Sequence, residues 1–421
     1  MSTQTLDSLC TINPETLDTS TPTDFEFRYL DISAVTKGRI DWSATSIWKL
    51  ADAPSRARRR VRSGDVLLCT VRPGLQAHAR IQGDESIPVV GSTGFALLRP
   101  NVPTDSGFIF HQLFSNGVAA QLKALEIGSS YPAVNESDVR HIVVFAPEVE
   151  ERKHIAAVLD MVDEAIVKTE AVLAKLKQVR AGLLHDLLTH GLDEHGQLRD
   201  PIAHPKQFQD SPLGYIPREW EIKTCQSVCR EIVVGIVVKP AQYYVEEGVP
   251  VLRSANVREE GIQMTDLVFI SDDSNALLSK SIIRTGDVVT VRTGYPGTSC
   301  VVPSHLDGAN CVDLIISRPS AEIVPAFLAL WINSPFGRDQ ILRLQGGLAQ
   351  QHFNVGELKT LLIAKPDRDE QVRIVEQIAT LDSCISLEVE TQAKLSRLKS
   401  GLMTDLLTGR VRVPEEIAVA P

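Results

Sequence analysis

The chain has 421 residues, 43% hydrophobic and 23% charged, with a formal net charge of −10, which leaves room for at least two ordinary cores of about 100–200 residues each. No run approaches the roughly 18 uninterrupted apolar residues of a membrane helix, and the start MSTQTLDSLC is polar, so a soluble cytoplasmic protein is expected. Seven cysteines without a CxxC suit reduced thiols, and the only close pair, Cys225 and Cys229, lacks the further ligands of a zinc site.

The first predicted element is a mixed α/β domain over residues 1–146. Its RARRRVR stretch at 56–62 puts five arginines in seven residues; Arg58, Arg59 and Arg60 form either a solvated basic face or a phosphate-binding patch, despite the unfavourable net charge. SGDV follows at 63–66 and TVRPG at 70–74, so Arg72 ends an apolar strand and projects from a turn, suited to DNA contact or to a structural ion pair. IGSSYPAVN at 127–135 adds Ser130 and Tyr131 on a polar loop.

Residues 147–191 then read as one long helix. It opens on Pro147, Glu148, Glu150 and Glu151, which suit the positive end of the dipole, and closes on Gly191. Ile155, Leu159, Val162, Ile166, Thr169, Leu173, Leu176, Arg180, Leu183 and Leu187 alternate four- and three-residue steps, the spacing of a coiled-coil seam. Residues 192–218, rich in Gly, Pro and Asp, read as a linker rather than a core element.

The rest of the chain repeats the first part. A second domain, 219–365, carries TGDV at 285–288, TVRTG at 290–294 with Arg292 and the neighbouring Tyr295, and GGLAQQHFN at 346–354 with Gln350, Gln351 and His352. A second helix, 366–409, matches the first at an offset of 219 residues: Pro147 with Pro366, Ile155 with Ile374, Asp163 with Asp382, Leu176 with Leu395. Its seam holds Ile374, Ile378, Leu381, Ile385, Leu395, Leu402 and Leu406, with Glu388 and Gln392 as polar positions, and a tail covers 410–421. The offset is also 219 between Arg99-Pro100 and Arg318-Pro319, and becomes 222 between SGDV and TGDV. Length differences therefore fall inside the domains. Such long apolar stripes cannot stay in water, so each helix needs the other, and their linkage in one chain favours pairing within the molecule. The expected fold is α+β: two similar mixed domains separated by a long intramolecular antiparallel two-helix coiled coil, in a pseudo-two-fold tandem repeat.

No chemistry is written in the motifs. GxGxxG is absent, no Gly precedes Lys, HExxH is missing, and the ten histidines show no metal spacing. Neither a catalytic residue, a metal site nor a cofactor of its own is expected. Two similar domains on a rigid spacer suit a ligand that repeats along an axis, and duplex DNA fits, with half-sites about 34–36 Å apart. Aromatics at 5% disfavour stacking platforms for single strands.

PEVEER…IA and PDRDEQ…I opening the helices, GDV and TVRxG in each domain, and the LDEHGQLRDP…SPLGYIPREWE junction together resemble the specificity subunit of type I restriction-modification enzymes, over about Phe25 to Thr408. The resemblance implies two target recognition domains, each reading half of a bipartite duplex target. It also implies two docked modification subunits that methylate adenine with S-adenosylmethionine, and restriction subunits using ATP and Mg; this chain itself would be non-catalytic. Where the second helix starts with Glu370-Gln371 the first has Glu151-Arg152, which implies a difference in docking there. A non-enzymatic scaffold whose domains bind proteins, or an enzyme with an unrecognised site, remain alternatives.

Overall fold

The computed structural model describes residues 2–83, 86–128, 130–344 and 352–413. Two compact units make up the chain: residues 1–171 with 390–421, and residues 172–389. Each contains one mixed domain and half of each long helix. None of the described helices is long and apolar enough to cross a membrane.

In the first unit, one four-stranded antiparallel sheet runs in the order Cys10–Ile12, Phe95–Pro100, Val66–Cys69, Ala79–Arg80. A second runs Ser46–Lys49, Glu26–Leu30, Val89–Ser92, Ala57–Val61, with one parallel pair. Val66–Cys69 is apolar throughout because both of its faces are covered: Val66 and Leu68 enter one core, Leu67 and Cys69 another. Asp65 of the GDV motif accepts from Arg62 N at 2.8 Å and from Arg99 Nε and Nη2 at 2.9 Å. The repeated aspartate and Arg-Pro thus tie a turn to its neighbouring strand.

The second unit repeats this plan. Cys229–Val234, Leu314–Pro319, Val288–Val291 and Ser299–Val301 form its antiparallel sheet. The second sheet, Tyr244–Val245, Val268–Ile270, Val249–Leu252, Asn310–Cys311, again has one parallel pair. Val288 faces one core while Val289 and Val291 face another.

The long helices are Val149–Thr189 and Arg368–Leu406, of 41 and 39 residues, on the order of 60 Å at 1.5 Å per residue. Within the first unit they run antiparallel: Lys399 Nζ lies 2.6 Å from Asp163 Oδ1, and Gln392 Nε2 donates to Glu170 Oε1 at 3.1 Å. Within the second unit Arg180 Nη2 donates to Asp382 Oδ2 at 3.0 Å. In all three pairs the residue numbers add to 562, the signature of one antiparallel register. Ile155, Leu159, Ile166, Leu173, Ile374 and Ile378 are buried; Val162, Leu176, Leu381, Ile385, Leu395 and Leu402 are half-buried, as two helices without a third leave them. Polar Gln392 meets Glu170, which Arg39 of the first domain also holds.

Residues 192–218 depart from the expected linker. Phe208–Ser211 and Gly214–Pro217 pair as a hairpin, and Leu192, Phe208 and Ile216 are buried. The organising group is the buried Glu370, which accepts from Leu192 N at 2.7 Å, Arg199 Nη1 at 2.6 Å and Trp220 Nε1 at 3.1 Å. Gly191, at φ +65, sits so close to Glu370 that a Cβ there would overlap its carboxylate. A Gly- and Pro-rich composition marked turns here, and the buried carboxylate made them part of a core. In the first unit the corresponding Glu151 receives Arg412 Nε at 2.6 Å.

The Arg152 and Gln371 difference also proves internal. Buried Arg152 pairs with buried Asp105, Nη2 to Oδ2 at 2.8 Å, and donates to Pro147 O at 3.1 Å. Gln371 instead accepts from Val324 N at 2.8 Å and donates to Glu322 O at 3.1 Å and Pro366 O at 3.0 Å. Both residues anchor a helix start to its own domain, where a docked protein would not reach them. Arg152→Ala, which strands the Asp105 carboxylate, is expected to cost about 3–5 kcal/mol. Asp105→Val combined with Arg152→Gln, the residues of the second repeat, should recover most of that loss in urea unfolding.

Candidate functional site

In each unit the turn after the buried central strand is hydrogen-bonded to the loop expected to read a target. Val134 N donates to Thr70 O at 2.9 Å and Arg72 N to Pro132 O at 2.7 Å in the first; Phe353 N donates to Arg292 O at 3.0 Å in the second. Two segments far apart in sequence are thereby fixed side by side. Arg72 is brought to Ser130 and Tyr131, and Arg292 to the residue next to His352.

The first tip is open. Arg72 has a left-handed backbone, φ +50, which costs a non-glycine residue about 1–2 kcal/mol. Its guanidinium lies 4.3 Å from the centroid of the Tyr131 ring and donates to Ser130 O at 3.4 Å. Tyr131 is 71% exposed, and exposed Leu75 and Ile127 belong to the same two segments. Leu75 and Ile127, the latter opening the IGSSYPAVN stretch, carry no charge or hydrogen-bonding side chain, and only their exposure marks them.

The second tip is built differently. Arg292 Nη1 lies 2.5 Å from Asp313 Oδ1, and its Nε donates to Phe353 O at 3.2 Å. Thr293 Oγ1 donates to the other Asp313 oxygen at 2.6 Å. Tyr295, 82% exposed, and His352 remain on the surface. Gln350 and Gln351 lie outside the described residues. Asn354 caps the helix Val355–Thr360, accepting from Glu357 N at 3.0 Å while Glu357 accepts from Asn354 N at 2.7 Å.

Strand register corrects the pairing of the two arginines. Cys69 faces Phe95 and Val291 faces Leu314, so the next residues, Thr70 and Arg292, are equivalent. The repeated contacts from Val134 and Phe353 confirm this. The TVRxG motifs match at an offset of 220 residues while the strands match at 222. Arg72 therefore stands two residues beyond Arg292, where the second unit has Gly294, also left-handed at φ +88.

The basic stretch forms the edge strand Ala57–Val61. Alternation puts Arg58 and Arg60 outward and exposed, Arg60 over the Phe25 ring at 5.2 Å. Arg59 points the other way, to Glu136 Oε2 at 2.8 Å, and is structural. No cluster of His, Cys, Asp or Glu suited to a metal ion occurs among the described residues.

No protein-family model matches the chain. Its curated homologues are type I restriction enzyme specificity subunits, in agreement with the resemblance drawn from the repeated motifs. The chain is 24% identical to the MjaVIII specificity subunit of Methanocaldococcus jannaschii over 331 residues, 77% of this chain and 75% of that one. It is 23% identical to the EcoBI specificity subunit of Escherichia coli over 317 residues, 71% of this chain and 65% of that one, just under two thirds of the relative. The solved type I restriction-modification S subunit from M. genitalium shares the fold, with a TM-score of 0.60 at 15% identity over 96% of both chains.

Arg58→Ala with Arg60→Ala should leave the urea midpoint unchanged and reduce the salt slope of duplex binding by about one to two, with the preferred sequence unaltered. Arg59→Ala should instead cost up to about 1 kcal/mol of stability. A changed target sequence in the first variant would refute a phosphate-only role.

Proposed function

We propose that this chain is the sequence-reading subunit of a type I restriction-modification complex, each domain reading one half of a bipartite target in duplex DNA. The observation that carries this reading is the repeated frame: in both units the same strand-end carbonyl, Thr70 O or Arg292 O, holds the same loop. The side chains presented by that frame differ. One frame with two sets of tips is what a reader of two different half-sites requires.

The chemistry available at the tips fits base edges. Arginine can meet guanine O6 and N7 together, apolar groups such as Leu75 and Ile127 can meet a thymine methyl, and His352 offers a donor or acceptor. Arg58 and Arg60 would neutralise phosphates and position the duplex without reading it. The long helices would serve as spacer and as the dock for two modification subunits, with restriction subunits joining that assembly. S-adenosylmethionine, ATP and Mg would reside on those partners, and this chain would supply orientation only. The cytoplasm, where the chromosome is reached, is the compartment this role needs.

Sequencing modified adenines in a host with and without this gene tests the proposal. A split motif, two short specific halves around a fixed gap, should be present only with the gene and the modification subunit together. Modification without a split motif, or its persistence when the gene is deleted, would overturn the reading in favour of a scaffold that binds proteins.

A further inference from the structure

We infer that the two arginines of the repeated TVRxG motif have parted in role: Arg72 is a base-contacting specificity residue for guanine, and Arg292 is a positioning residue that braces the second tip without touching DNA. The inference rests on the DNA reading proposed above and goes beyond it by assigning opposite roles to residues of one motif.

Arg292 is committed inside the protein. Its side chain is only 17% exposed, it is paired with Asp313, and its Nε supports the Phe353 carbonyl. Asp313 is itself fixed by Thr293. A carboxylate this close repels a phosphate and competes with any base edge for the same guanidinium, so leaving it would break a pair already formed. The brace acts on Phe353, which is fully buried and stands directly beside exposed His352. Phe353 is held from both sides, N–H to Arg292 O and C=O to Arg292 Nε, which fixes the backbone directly beside His352.

The first unit keeps the backbone contact, Val134 N to Thr70 O, and lacks the side-chain part of this brace. The residue equivalent to Arg292 is Thr70, whose N–H and Oγ1 both bond the Gly94 carbonyl at 2.9 Å. Gly94 stands where the second unit has Asp313, each one residue before a matched strand. Gly94 supplies no carboxylate, and a Cβ there would overlap Ile32 Cδ1, so any side chain at this position requires Ile32 to move. Arg72, two residues farther along, meets no acid among the described residues and lies over the ring of exposed Tyr131. The ring under the guanidinium carbon and the single bond from Nη2 to Ser130 O hold the group in place and leave its other donors to a base edge. That is the geometry a bidentate contact to guanine O6 and N7 uses, with the orientation set before binding.

The test uses the assembled methyltransferase, this chain with its modification subunits, on randomised duplex DNA, with modified sites read by sequencing and thermal midpoints measured alongside. Arg72→Ala should abolish preference for guanine at one position of one half-site, a loss of about 5- to 150-fold, with the midpoint unchanged. Arg292→Ala should lower the midpoint and blur the whole of the other half-site, and Arg292→Lys, which can keep the Asp313 pair but not the Nε contact to Phe353, should recover part of the midpoint and leave the half-site blurred. Asp313→Asn separates the roles further: a brace predicts a lower midpoint and a blurred half-site, whereas a DNA-contacting Arg292 predicts tighter duplex binding once the acid is neutralised. The inference is overturned if Arg72→Ala leaves both halves intact, or if Arg292→Ala relaxes one position at an unchanged midpoint. A wild-type assembly that modifies no split motif would sink the DNA reading itself, a result distinct from either.

Discussion

Neither long helix can keep its apolar stripe in water, and the antiparallel pairing that removes it is the constraint on which the rest of the molecule depends. A helix of about 40 residues gains little from backbone propensity alone, and tertiary burial of one face supplies most of its stability. Here that face is shared. Near the helix ends the domains complete the burial, as with Ile155 and Leu159 against Phe108 and Phe145, or Ile374 and Ile378 within the core that holds Phe327 and Trp331. Toward the helix middles most seam residues other than Ile166 and Leu173 are half-buried, and the polar pairs Asp163–Lys399, Glu170–Gln392 and Arg180–Asp382 carry the register. Asp163 and Asp382 are repeat equivalents, as are Lys399 and Arg180, so one ion pair has been written twice with its partners exchanged.

The helix starts show how a duplication tolerates divergence in a buried place. Gln371 needs no counter-charge and is satisfied by three backbone groups. Arg152 needs one, and Asp105 supplies it where the second repeat has Val324. Neither arrangement leaves a buried charge alone, which is the condition that matters, since an unpaired one costs far more than the pair contributes. Likewise Glu370 gathers three donors from the segment after the first helix, while Glu151 takes a single arginine after the second. The same carboxylate position fastens the outgoing chain in both units with different partners.

Much of this was legible in the sequence because it rests on periodicity and composition. The three-four spacing of the seam foretold which helix faces are buried, and the first helix ends before Gly191 as its sequence suggested, with a left-handed backbone there and at Gly409. Residues 192–218 were misread because Gly, Pro and Asp mark turns whether or not a core lies beneath them. Nothing local announces that Glu370, some 170 residues away, will bury them. Asp313 was missed for the same reason: a lone acid after an apolar run becomes significant only when a strand pairing sets it beside Arg292. The partners of Arg152 and Arg59 were equally out of reach, since Asp105 and Glu136 are close only in space.

The two arginines show why a matching motif is weaker than a matching register. Identity over TVRxG pairs Arg72 with Arg292, yet the backbone obeys the strands, whose alternating side chains enter two different cores and cannot slip by even one residue without exposing both sets. A length difference is therefore pushed past the last buried residue, Cys69 or Val291, into the turn. Two residues there amount to about 6.6 Å of extended chain. That distance carries one arginine out to the surface beside Tyr131 and leaves the other beside Asp313. Burial fixes the frame and frees the tip, so in this architecture a small insertion can change which side chain meets a ligand while leaving the fold that presents it intact.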